Sequence, residues 1–236
     1  MKRGVFLASV AVVAAWASVV MARPPVVVEL FTAQGCSSCG KADAHAAKLA
    51  DEKDLVVLTF DVDYWDYLGW KDTFARPEFT DRQRAYAKHF GITEVYTPQV
   101  VVNGHVQGAG VKAENIDRLV HVERALSQNP PDMDLTDNGR VNVGSGRRVR
   151  GGAEVWLIRY DPREQDIEVK QGDNRGQTVT ERNVVAQLER LGAWKGRPVS
   201  FKLPPAPIEG LQTLVVVQGV DGGRVVGVLR GEPPKP

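Results

Sequence analysis

Between Pro24 and Leu126, short apolar runs rich in β-branched residues alternate with segments of helical spacing. Val26 to Phe31 is apolar at nearly every position, the pattern of a strand covered on both faces. A turn over Thr32 to Gly35 leads into Cys39 to Asp51, where Ala42, Ala46 and Leu49 share one helical face. Leu55 to Phe60 predicts a second buried strand. Glu78 to Phe90 predicts a helix closed by Gly91, and Val95 to Val102 a third strand with Pro98 near its start. Asn103-Gly104 is a strong hairpin signal, so the chain from Val106 should return antiparallel. Ala113 to Leu126 predicts a last helix, with Ile116, Leu119, Val120 and Leu126 facing inward. The predicted order is β-α-β-α-β-β-α.

Asn129-Pro130-Pro131 ends that pattern and marks a boundary between a first unit, residues 23–128, and a second, residues 132–232. Alternating runs then recur at Ala153–Tyr160, Asp166–Gln171, Val199–Leu203, Thr213–Gly219 and Arg224–Leu229, separated by Gly, Asp and Pro. Val184 to Leu191 fits neither the helical nor the strand period. The expectation is a β-rich C-terminal module, sandwich-like and packed on the first unit. The tail from Pro233 is expected to be disordered.

The two ends of the charge scale are excluded. A formal net charge of +1 over 236 residues gives no reason to expect nucleic acid or an anionic membrane as partner. The densest basic cluster, Arg147-Arg148 with Arg150, is too short for a nucleic-acid stripe. Lys2 and Arg3, the apolar run Val5 to Val20, and Val20-Met21-Ala22 have the layout of a secretory signal peptide, residues 1–22. The competing reading is a retained anchor, but the run is shorter than the ~20 residues a spanning helix needs. Export to the periplasm or medium, with no stable membrane insertion after cleavage, is therefore expected.

In an exported chain two cysteines usually make one structural bridge. Cys36-Ser37-Ser38-Cys39 closes too small a loop to constrain the unfolded state much, so the spacing favours redox or metal chemistry. Placed between a buried strand and a helix N-terminus, the first cysteine of such a pair is activated as a thiolate. Cys36 is then expected to be the exposed nucleophile and Cys39 the resolving thiol. Tyr96-Thr97-Pro98 precedes a strand and hairpin, where a cis peptide before proline can face the dithiol. Tyr96, Thr97 and Pro98, with Trp65, are the candidate substrate-binding residues. Glu29 is a candidate proton acceptor for Cys39, against the alternative of a partly exposed strand-end acid. The segment Asp61–Trp70, followed by Asp72, crowds aromatic and acidic groups at a strand end; it reads equally as a substrate rim, a carboxylate site or a packed loop.

These features resemble the thioredoxin superfamily over residues 26 to about 126. More narrowly, Glu29 through Cys39, Asp61–Trp70 and Tyr96-Thr97-Pro98-Gln99 resemble a secreted bacterial family catalogued as domain of unknown function 1223. Gln171-Gly172-Asp173-Asn174-Arg175-Gly176 and Asn183-Val184-Val185 resemble that family's C-terminal signatures. The resemblance implies an α/β thioredoxin-like domain and leaves the activity open. Family members commonly follow the second cysteine with Pro-Pro, whereas this chain has Gly40-Lys41.

Three functions compete. The first is thiol–disulfide exchange on exported proteins or thiols, with no cofactor beyond the Cys36–Cys39 pair. The second is Cu(I) handling by the two thiolates, with or without a histidine such as His105. The third is a non-catalytic binding protein on the same frame. A four-cysteine zinc site is excluded by the cysteine count.

Overall fold

The computed structural model describes residues 23–126 and 128–231. The expected signal peptide, residues 1–22, and the tail from Pro233 lie outside the described residues. The chain forms an α/β structure with an eight-stranded mixed sheet and a three-stranded sheet beside it.

β1 (Val26–Thr32) and β2 (Leu55–Asp61) pair in parallel and are buried at every position. Their unbroken apolar runs follow from cover on both faces. Leu30, Val28 and Val57 pack beneath α1 (Gly40–Leu49) and α3 (Ala113–Arg124). Phe31, Phe60 and Val27 pack beneath α2 (Pro77–Phe90) with Phe79 and Tyr86. Proline in the first turn of α2 and Gly91 in the left-handed conformation at its end set the limits of that helix. α3 stops at Arg124, with Ile116, Leu119 and Val120 buried, and Leu126 just beyond its end is half-buried.

β3 (Gln99–Val102) pairs antiparallel with β1, and β4 (Val106–Ala109) returns along it. Asn103 and Gly104 join them with φ of 51° and 58°, the primed turn that matches strand twist. Gly104 is required for a second reason. A Cβ there would lie 2.4 Å from the Gly223 carbonyl oxygen, in the C-terminal part of the chain.

That part continues the same sheet. β7 (Ala153–Glu168) and β8 (Thr178–Trp194) form a long antiparallel pair, extended by β10 (Gln212–Gly219) and β11 (Val225–Arg230). β8 docks on β2 in parallel at Thr59 and Val184. The strand order is β11-β10-β7-β8-β2-β1-β3-β4. The small sheet of β5 (Met133–Leu135), β6 (Arg140–Val143) and β9 (Val199–Lys202) packs Val141 and Val143 against Val155, Leu157, Val215 and Val217. Val184 to Leu191, which fits no single period, is strand. A register shift between Arg159 and Tyr160 pairs Tyr160 with Val185 but Arg159 with Gln187, so alternation slips by one residue there.

Candidate functional site

Cys36 and Cys39 are joined as a disulfide with a Cα–Cα separation of 5.4 Å, and Cys39 caps the N-terminus of α1. The Thr97–Pro98 bond is cis. The two features are neighbours. The position a Gly110 Cβ would take lies 3.4 Å from both the Ala42 side chain in α1 and the Pro98 side chain.

The aromatic-acidic segment covers this junction. Asp63–Leu68 is a 3-10 helix ending at Gly69 in the left-handed region. Trp65 lies against Gly35, and its indole Nε1 donates to Thr97 Oγ1 at 2.8 Å. Trp65 thereby ties the loop before Cys36 to the residue before the cis-proline. Tyr96 is turned toward the hairpin, its hydroxyl donating to Gln107 at 2.8 Å.

Two expectations need correction. Cys36 is not exposed: both cysteines are about 1% accessible and belong to the core cluster of Phe31, Phe60 and Val62, with Tyr64 and Trp65 packed against it. Glu29 is not a free proton acceptor for Cys39. Its carboxylate accepts from Arg82 Nε at 2.5 Å, Arg82 Nη2 at 2.8 Å and the Tyr86 hydroxyl at 2.6 Å, a buried ion pair under α2. Three donors, two of them from one buried guanidinium, commit the carboxylate to that ion pair. His105, the histidine considered as a third Cu(I) ligand, sits at the hairpin tip, at the opposite end of β3 from Pro98. Its Nδ1 lies 2.6 Å from Glu123.

Several residues that sequence reasoning did not assign hold the disulfide loop. Gln34 is fully buried and every polar group it has is used. Its amide N–H donates to Asp72 Oδ2 at 2.7 Å, and its carbonyl accepts from Asn174 Nδ2 at 2.8 Å. Its side-chain oxygen accepts from Trp70 Nε1 at 2.9 Å, and its Nε2 donates to Thr73 Oγ1 at 2.8 Å. The Gln171–Gly176 signature is therefore a clamp on the loop before the dithiol, with Gly172 packed on Leu68 and Trp70.

Beneath the loop, Thr32, Asp43, Asp61, Asp72 and Glu181 form a buried acidic group at the carboxyl ends of β1 and β2. Among the described residues no hydrogen bond closes on either oxygen of Asp43, Asp61 or Glu181, or on the Thr32 hydroxyl facing Asp43. Burial pushes the Asp43 carboxyl from 3.8 up to about 7, with Thr32 opposing and Asp72 adding to the rise. Burial, and then repulsion from Glu181, holds Asp61 well above the usual carboxylate range. Burial likewise raises Glu181 and Asp72. Four acids buried in one site resist ionising together. The sequence signal was faint: Asp43 looks like an ordinary first-turn helix acid, and Glu181 lies more than a hundred residues away.

Residues 27–218 match the model of a family described as Protein of unknown function (DUF1223). The chain belongs to the DUF1223 family. A solved relative, protein AGR_C_4864 from Agrobacterium tumefaciens, is 32% identical with a TM-score of 0.70, covering 89% of this chain and 95% of its own. HBP35 of Porphyromonas gingivalis is 15% identical with a TM-score of 0.55, covering 90% of this chain and 76% of its own, a likeness of fold alone. No functionally curated protein matches this DUF1223 chain in sequence.

Proposed function

We propose that this DUF1223 protein is an exported thiol–disulfide oxidoreductase, its β1–α1–β2–α2–β3–β4–α3 segment a thioredoxin-like arrangement and the Cys36–Cys39 disulfide its reacting group. The observation that carries the reading is the Cys36–Cys39 bridge at the start of α1 beside a cis Thr97–Pro98. Exchange begins when a substrate thiolate attacks Cys36 Sγ. The Cys36–Cys39 bond breaks, and the electron pair leaves on the Cys39 sulfur, which takes up a proton. Substrate and Cys36 are then joined as a mixed disulfide. A second substrate thiolate attacks the substrate sulfur of that bond and releases Cys36 as a thiolate, favoured by the unpaired N–H groups of α1. The substrate dithiol is oxidised and the protein disulfide reduced; the reverse exchange follows the same path backward.

Because both sulfurs are buried, the Asp63–Leu68 helix has to lift before a substrate can reach Cys36. Opening the Trp65–Thr97 bond would free the Thr97 position for an extended substrate, between the Tyr96 and Pro98 carbonyls that Gln83 and Gly110 already occupy.

The burial of both cysteines favours one other reading, a binding protein with a locked disulfide. Equilibration of the native chain in glutathione buffers, followed by thiol alkylation, separates them. Exchange chemistry expects a potential within roughly −120 to −270 mV and faster alkylation of Cys36 than Cys39. A disulfide that stays intact below about −300 mV until the chain unfolds assigns it to structure.

A further inference from the structure

We propose that the loops at residues 144–150 and 194–198 form a binding site for a small phosphate-bearing ligand. Two adjoining cavities, of about 350 and 450 Å³, share Arg148, Val149 and Trp194 in their walls. Arg147 and Arg224 line the first, Lys195 and Arg197 the second. Among the described residues no carboxylate lines either cavity. Arg224 reaches Glu123 at 3.4 Å; the other four cations stand in no ion pair among the described residues. Acids and bases nearly balance over the whole chain, so this concentration of one sign is local. Like charges gathered in a concavity repel one another, and an anion seated among them relieves that repulsion.

The site is held in shape. Gly146 N–H donates to the Gly196 carbonyl at 3.3 Å, joining the two loops backbone to backbone. Gly196 has φ of 77°, and a Cβ there would lie 2.9 Å from the Arg148 side chain, so only glycine lets the arginine stem pass. Trp194 is buried and donates its Nε1 to the Gly144 carbonyl at 3.1 Å, anchoring the base of both loops. Together with Val149, Val225 and Pro131 it supplies the apolar part of the first cavity's lining.

This arrangement selects the ligand class. Guanidinium forks bind phosphate oxygens in pairs, and a ligand bearing two or more charges is needed because exposed single pairs contribute little. The cavity size suits a small organic phosphate, its carbon portion against the apolar lining residues. The same chemistry is offered by a free phosphate ester and by a phospholipid headgroup.

The test is calorimetric titration of the purified chain with sodium pyrophosphate at low ionic strength, beside the R148A/R197A double variant. Flotation with vesicles of phosphatidylglycerol in phosphatidylcholine, against phosphatidylcholine alone, forms the second arm. Saturable pyrophosphate binding, weakened about tenfold or more in the variant at unchanged Tm, supports a soluble phosphate ligand. Arginine-dependent flotation without pyrophosphate binding assigns the phosphate to a lipid headgroup. Absence of both, or binding that the double variant leaves unchanged, overturns the proposal. Neither substitution touches a residue of the disulfide site.

Discussion

Asp43 shows how burial reassigns an ordinary residue. It stands one helical turn after Cys39, its amide N–H donating to the Cys39 carbonyl at 3.1 Å, on the face that packs inward. A folded-state value of about 7 against 3.8 means that the folded chain holds a proton the unfolded chain releases. The contribution to stability is complete below about pH 3.8 and is lost as pH rises through about 7. Asp61, Asp72 and Glu181 are raised in the same direction and steepen the trend. Asp43→Asn keeps the shape and removes the ionisation, so it should stabilise the protein at pH 8 by on the order of 2 kcal/mol. The gain should vanish near pH 4, and urea denaturation at both values measures it. A variant equally or less stable at pH 8 would show that burial does not penalise ionised Asp43. None of this was legible from residue type, because the shift comes first from burial, which only the folded chain creates, and then from charge repulsion by Asp72, 29 residues further along. Gln34 was hidden for a related reason: an uncharged residue gives no chemical signal until its partners are known.

At the scale of elements, the strands and helices of the first half were legible because each is either fully covered or amphipathic with clean ends. The long strands were legible only in pieces: β7 through the runs Ala153–Tyr160 and Asp166–Gln171, β8 only as Val184 to Leu191, which fitted neither period. Their outer stretches bury one face only, Pro162 falls at a register shift between Asp161 and Glu164, and polar residues interrupt the apolar runs. The Asp61–Trp70 segment left open whether it was site or packing. In the structure it is packing that covers the site, pinned by one bond from Trp65 to Thr97 and one from Trp70 to Gln34. Trp65→Phe keeps an apolar ring over the disulfide and removes the donor to Thr97. A net loss of about 1 kcal/mol in the closed state raises the open population roughly fivefold. Reduction of the native disulfide by a small phosphine, followed by trapping of free thiols, should accelerate by about that factor if opening precedes attack. An unchanged rate would mean that reductant reaches the sulfurs by another path.

Over the whole molecule, the sequence suggested a boundary near Pro130, where the texture changes. The backbone does change there, yet strands from both sides share one sheet. The joint has little ladder pairing: Thr59 and Val184 are its paired residues. Side chains make up the difference. Asn183, at φ of 56°, donates its Nδ2 to the Val57 carbonyl at 2.8 Å, and Thr59 Oγ1 donates to the Arg182 carbonyl at 2.7 Å. Arg182 Nη1 donates to the Ala47 carbonyl at 3.0 Å. Asn174 and Glu181 reach from the C-terminal part to the disulfide loop and the acidic group, and Ile158, Val185 and Val216 share a core with Phe31 and Cys36. Groups so interleaved lose their partners together, which predicts one calorimetric transition whose van't Hoff and calorimetric enthalpies agree. Asn183→Ala removes the Val57 bond and places a less tolerant residue in the left-handed region. It should lower stability by about 1–3 kcal/mol while keeping the single transition. Two separated transitions in the parent chain would instead show that the halves fold independently and that the shared sheet is only a contact between them.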